Sequence, residues 1–236
     1  MAARIITVFN QKGGCGKTML SMQLAASFGL RGHRTLLVDM DKQGTSTIWA
    51  GQSEDEHPYP ATVISLAPLR EKLIGEISRH AAENDLILID CPPAIESSIP
   101  WAALNVSDLA LIPVIPVMDN VWASREAKEL ARRAMSENPD LQTYCVPMNY
   151  RRGNVFKVGT ELLEADTEIP LIDQGLQQRN AYGESQMYGT SVHGLSKSSA
   201  ATKEVEELSR VVLAKLGIED VKKGAKPRAT KRKEVA

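Results

Sequence analysis

A chain of 236 residues that is 43% hydrophobic and 24% charged is long enough to bury a full core, and one large α/β domain suits it better than two small ones. It carries no apolar run of transmembrane length and no signal-peptide pattern, because Lys12 and a glycine-rich stretch interrupt the first apolar segment, so a cytoplasmic protein is expected. Three scattered cysteines, Cys15, Cys91 and Cys145, are too few for a disulfide framework or a zinc site and are expected to be free thiols.

The formal net charge of −1 is unevenly spread. Seven of the 28 basic residues but one of the 29 acids lie from Val221 onward, which leaves the body with 21 basic against 28 acidic residues. A folded domain over residues 1–218 followed by a basic, disordered tail over 219–236 is the expected organisation. A loose cationic arm favours polyanions such as DNA through counterion release, without reading bases; an end that merely aids solubility is the alternative.

Taken in chain order, Ile5, Ile6, Val8 and Phe9 form an apolar run of strand length, and Leu20, Leu24, Ala25 and Phe28 then recur at helical spacing. Between them lies Lys12-Gly13-Gly14-Cys15-Gly16-Lys17-Thr18. A glycine-rich loop between strand and helix lets backbone N–H groups curl around an oxyanion, with a lysine and a hydroxyl to reach outer phosphates and a magnesium ion. A turn that binds nothing is the weaker alternative. The usual phosphate-loop pattern has a glycine where this chain has Gln11, and a second lysine, Lys12, stands at the entrance.

These residues resemble the deviant Walker A motif, KGGxGKT, of the ParA/MinD family of P-loop ATPases. The resemblance implies a three-layer P-loop NTPase fold, a mostly parallel central sheet flanked by helices, with ATP and Mg2+ as cofactors. It assigns the nucleotide to Lys12, Gly13, Gly14, Cys15, Gly16, Lys17, Thr18 and Met19. Lys17 would serve its own nucleotide, Thr18 the metal, and Lys12 would cross to the phosphates held by a partner copy.

Thr35 to Val38 reads as a buried strand that delivers Asp39-Met40-Asp41-Lys42-Gln43-Gly44 to its C-terminal edge, where ligands sit in open parallel sheets. The segment is similar to the family's switch I, with Lys42 in place of the usual proline. By that likeness Asp41 orients the attacking water and Asp39 supports the metal shell. Capping of a helix beginning near Thr45 is the other role open to these acids. Gly51 to Pro60 reads as an exposed loop, Ala61 to Leu66 as a short strand and Pro68 to Ala82 as a helix.

Leu86-Ile87-Leu88-Ile89-Asp90 is an aliphatic run ending in a carboxylate, as expected of a central strand that hands an acid to a metal. With Pro92 and Pro93 it resembles the family's Walker B and switch II, which makes Asp90 a metal residue. A further strand is expected over Leu109 to Val117, a helix over Val121 to Met135 and a strand over Leu141 to Met148. Asn149 then falls where relatives contact adenine, although a turn-forming asparagine is equally consistent. Leu171-Ile172 reads as an edge strand, and Lys197 to Leu216 as the final helix, ended by Gly217. Across the chain, alternating strands and helices imply a parallel sheet covered on both faces.

The C-terminal part resembles that of short, ParF-type ParA proteins, which makes Arg151, Arg152, Arg179, Lys197 and Lys203 candidates for DNA contact, although exposed basic residues are commonplace. The function implied is that of a ParA-type positioning ATPase that is cytoplasmic and nucleoid-associated. ATP would join two copies in a sandwich homodimer, and the dimer would bind nucleoid DNA without sequence preference. A ParB-like adaptor linked to a cargo, whether plasmid, chromosome or protein organelle, would then stimulate hydrolysis. No helix-turn-helix segment precedes the loop, so operator recognition is not expected. A MinD-like membrane-associated ATPase is the alternative, but the tail after Gly224 offers only Val235 as a large apolar residue. An iron–sulfur relative would need cysteines at different positions, and a non-enzymatic DNA-coating protein would bind DNA regardless of ATP.

Overall fold

A computed structural model describes residues 3–93 and 98–218; the basic tail over 219–236 lies outside the described residues. The described chain begins with β1 (Arg4–Val8), α1 (Lys17–Leu30), β2 (Thr35–Asp39), α2 (Thr45–Gly51) and β3 (Thr62–Ser65). After a 3-10 turn at Ala67–Lys72 come α3 (Leu73–His80), β4 (Leu86–Asp90), α4 (Ser98–Leu104), β5 (Leu109–Val114), α5 (Met118–Glu137) and β6 (Gln142–Tyr150). The remainder holds α6 (Asn154–Glu164), β7 (Leu176–Gln177), α7 (Asn180–Met187), α8 (Val192–Leu195) and α9 (Ala200–Lys215). The strands form one seven-stranded sheet in the order β3-β2-β4-β1-β5-β6-β7, and every pairing is parallel.

Parallel strands need crossovers, and here helices run over both faces of the sheet. Successive side chains of a strand point to opposite faces. On β4, Leu86 and Leu88 therefore join Leu20, Leu24 and Phe28 of α1 and Val205, Leu208 and Val212 of α9 in one core layer. Ile87 and Ile89 join Leu73 and Ile77 of α3 and Ala127, Ala131 and Ala134 of α5 in the other. All four of these β4 side chains are fully buried, each stabilising the fold by about 1.5–3 kcal/mol. This is why the strand reads as a continuous apolar run rather than an alternating one.

Several boundaries differ from the sequence reading. The expected helix over Pro68–Ala82 is split, because Arg70 has a φ of 49° and interrupts the helical path before Leu73. α5 begins at Met118, three residues early, and α9 begins at Ala200, where the Ser199 side chain accepts a hydrogen bond from the Thr202 N–H. Lys197 thus precedes that helix. Leu171 makes only an isolated bridge with Cys145, and the edge strand is formed by Leu176–Gln177, paired with Met148 and Tyr150 across a register shift.

Candidate functional site

The C-terminal ends of β1, β2 and β4 meet at one edge of the sheet. The strand register sets Val8 and Asp39 on either side of Asp90, so the loop after β1 and two carboxylates converge without any long-range adjustment. Gly14 and Gly16 take φ values of 72° and 96°, a region where a side chain is strained. A Cβ on Gly16 would also lie 2.9 Å from the Met148 side chain. Between them these glycines bend the loop so that α1 starts at Lys17 with its N-terminus facing the loop.

Lys17 is buried, and its Nζ donates to the Lys12 carbonyl at 3.0 Å. Buried Asn10 braces the loop from beneath, donating to the Pro113 carbonyl at 2.9 Å while its side-chain oxygen accepts from the Lys12 N–H. Lys12 points away from the cradle toward α5, where its Nζ sits 2.7 Å from Asp119 Oδ2. That hydrogen bond holds the Asp119 carboxyl below the usual carboxylate range.

Asp90 is buried, and burial pushes its pKa up to about 6 against the opposing effect of the nearby Thr18 and Ser46 hydroxyls. The Ser46 bond to Oδ2 measures 2.8 Å, whereas the buried Oδ1 has no partner among the described residues. An unpaired carboxylate oxygen beside the Thr18 hydroxyl is the hard oxygen donor set that suits magnesium. Asp39 is engaged differently. Its Oδ1 accepts from the Asp41 N–H at 3.0 Å, and its Oδ2 from the Thr47 N–H and hydroxyl, so it ties the start of α2 to the loop. Burial raises the Asp39 pKa nonetheless. Asp41 is only partly buried, and its Oδ1 accepts from the Gln43 N–H at 3.0 Å.

Beside the loop opens a cavity of about 290 Å³. Gly14, Gly16 and Met19 of the loop and α1 line it, with Ile115, Met148 and Leu176 as apolar and Asn149, Gln177, Arg179 and Tyr182 as polar lining. Asn149 has a φ of 48°, a conformation asparagine tolerates better than most residues, so it turns the chain at the cavity rim. The cavity and the loop together can receive a nucleoside at one end and a polyphosphate at the other.

The match to known families decides the assignment. Residues 6–234 match the model of the CobQ/CobB/MinD/ParA nucleotide binding domain. The chain belongs to this family. It is 27% identical over 209 residues to the maintenance of carboxysome distribution protein A of Halothiobacillus neapolitanus, covering 88% of this chain and 95% of that one. It is 34% identical over 147 residues to the chromosome partitioning protein ParA of Myxococcus xanthus, covering 47% of this chain and 52% of that one. Among solved structures, the ATP complex of Cyanothece McdA superposes with a TM-score of 0.75 at 16% identity, over 93% of this chain and 98% of that chain; that likeness concerns the fold. The ParA/MinD family is one of ATPases, and the seven-stranded parallel sheet between helix layers is its P-loop fold.

The remaining candidates divide. Arg151 and Arg179 line one groove with Asn180 at the start of α7 and Ser199 and Ala200 at the start of α9, and Lys203 is exposed in the first turn of α9. Arg152 borders a second groove with Gly153 and Lys157, which Arg151 also lines, and Lys197 is exposed ahead of α9. Arg179 is not a free cation, since its Nε donates to Glu204 Oε1 at 2.9 Å and its Nη2 bonds both Glu204 and Gln177. The three cysteines are free and buried, with pKa values raised chiefly by burial, to about 11 for Cys145. Asn10, Ser46, Asp119 and Glu204 carry no sequence signal of their own, because each acts through a side-chain contact with a distant segment.

Proposed function

We propose that the chain is a magnesium-dependent ATPase of the ParA type that forms a sandwich homodimer on binding ATP. The dimer binds nucleoid DNA without sequence preference and positions a cargo through a ParB-like adaptor that stimulates hydrolysis. The observation that supports this reading most is the meeting of Lys17, Thr18, Asp41 and Asp90 at one sheet edge, with Lys12 beside them on the loop. In this reading residues 1–218 are the ATPase domain, and the basic tail adds phosphate contacts.

The backbone N–H groups of Gly13, Gly14, Cys15 and Gly16 would hold the phosphates, with the positive end of α1 behind them. Lys17 neutralises charge on the outer phosphates, and Thr18 and Asp90 would hold magnesium, with Asp39 shaping the switch segment around them. Magnesium supplies charge neutralisation at the transferred phosphoryl group. Asp41 orients the attacking water. Lys12, released from Asp119, reaches the phosphates bound by the second copy. Phosphoryl transfer needs mainly positioning and charge compensation, so these groups would carry most of the rate.

Arg151 and Lys203, near the N-termini of α7 and α9, favour phosphates of a DNA backbone, with Arg152 and Lys197 as outlying contacts. The test is retention of DNA on immobilised protein without nucleotide, with ADP and with ATP. Retention that requires ATP and vanishes in Lys17→Ala is expected; equal retention in all three states would contradict the reading.

A further inference from the structure

Glu204 accepts four hydrogen bonds in the C-terminal part of the chain. It projects from the first turns of α9, and its side chain is 9% exposed. Oε1 accepts from Arg179 Nε at 2.9 Å and from Arg179 Nη2. Oε2 accepts from the Tyr182 hydroxyl at 2.9 Å and from the Gln177 N–H at 3.2 Å. A buried carboxylate is tolerated only when its oxygens are satisfied and its charge is met, and Arg179 meets the charge here. All three donor residues also line the cavity beside the phosphate loop. They come from three successive pieces of chain, β7, the link after it and α7, and β7 is only two residues long, too short to hold its own register firmly.

We propose that Glu204 is a positioning residue for the nucleoside: it clamps Gln177, Arg179 and Tyr182 into one wall, against which the base and sugar of a purine nucleotide are held. This rests on the reading of the cavity as an ATP site. The phosphate loop supplies other lining residues of the same cavity, Gly14 and Gly16 among them, and makes no hydrogen bond to Glu204. Loss of the clamp therefore weakens recognition of the nucleoside while leaving recognition of the polyphosphate intact, which a general role in folding would not do.

The experiment compares ATP with inorganic tripolyphosphate, each with magnesium, by calorimetry on the full chain. Glu204→Gln keeps the shape and removes the charge that holds Arg179. ATP is expected to bind roughly tenfold more weakly, the scale of one charge-assisted hydrogen bond, while tripolyphosphate binds within about twofold of the wild-type value. Where ATP turnover is followed, KM is expected to rise by a similar factor with kcat nearly unchanged. Tyr182→Phe, which removes one donor and no charge, is expected to weaken ATP by about threefold and tripolyphosphate not at all. Unchanged ATP affinity in folded Glu204→Gln, or an equal loss for both ligands, would overturn the proposal. If Glu204→Gln fails to fold, unchanged ATP affinity in Tyr182→Phe overturns it. A wild-type chain that binds neither ligand would overturn the ATP reading as well, so the two failures are distinct.

Discussion

The two ends of the proposed nucleotide cavity are built in opposite ways. At the proposed phosphate end the groups come from short contiguous stretches at strand tips, and several are held loosely: Asp90 keeps a buried oxygen without a partner among the described residues, Asp41 is partly exposed, and Lys12 rests on an exposed carboxylate. At the nucleoside end the groups come from separate elements, and both oxygens of Glu204 are occupied. One end is left able to exchange partners, and the other is prepared to stay as it is. A site that must bind a constant nucleoside and a changing phosphate chain benefits from that division.

The largest expected effect lies at the phosphate end. Asp41→Ala should lower ATP hydrolysis by about a hundredfold, the usual scale for loss of a group that positions the attacking water, while ATP affinity stays within a few-fold. A phosphate-release assay beside calorimetry checks this, and a wild-type rate would remove Asp41 from the mechanism.

A control for the rigid end is the ion cluster between α5 and the segment after α6. Asp166 accepts from Lys128 Nζ at 3.0 Å and from Arg132 Nη2 at 2.7 Å, and the Lys128 side chain is 8% exposed. Asp166→Asn strands that ammonium, and we expect a loss of about 2 kcal/mol in denaturant unfolding, below the range for a fully buried pair because Arg132 is partly solvated. None of these residues lines the nucleotide cavity, so ATP affinity should not change, in contrast to Glu204→Gln.

The sign of the pH dependence follows from Asp166. Burial raises its pKa, but hydrogen bonds from Lys128, the Ile169 N–H and Arg132 outweigh this and leave it lowered. Its contribution is therefore present above the ordinary carboxylate value near 3.9 and is lost as pH falls through the lowered one. The stability gap between wild type and Asp166→Asn should narrow on acidification below about pH 4.

The smallest effect should come from the exposed pair. Asp119→Asn frees Lys12 from its partner on the same chain, and about two- to threefold less ATP should be needed for self-association, in keeping with the small net value of solvent-exposed ion pairs. No shift in the ATP dependence would mean that the Lys12–Asp119 contact does not compete with assembly.

What could be read from the sequence follows the same division. The strand–loop–helix around Lys17, the aliphatic run ending in Asp90, and the alternation of elements were legible because each is a local pattern whose period matches the geometry it forms. Glu204 was not, because a buried glutamate on an amphipathic helix looks like a surface residue until its partners from α7 and β7 are brought against it. The expected edge strand at Leu171–Ile172 is reduced to a single parallel bridge from Leu171 to Cys145, and the longer pairing falls at Leu176–Gln177, because a two-residue pairing carries no periodicity. Arg179 resembled any exposed basic residue, and only its contacts with Glu204 reveal that it belongs to the cavity. Asp39 had two readings open to it. Its hydrogen bonds to the Asp41 and Thr47 N–H groups support the shaping of the loop and of the start of α2.

In the proposed assembly the loop is completed by a second copy through Lys12. The most direct measurement is the mass in solution, by light scattering, of wild type and Lys12→Ala with ADP and with ATP in the presence of magnesium. The expected result is a dimer only for wild type with ATP, while Lys12→Ala remains monomeric although it still binds the nucleotide. A wild-type chain that stays monomeric with ATP bound, or a Lys12→Ala chain that dimerises as readily as wild type, would contradict it.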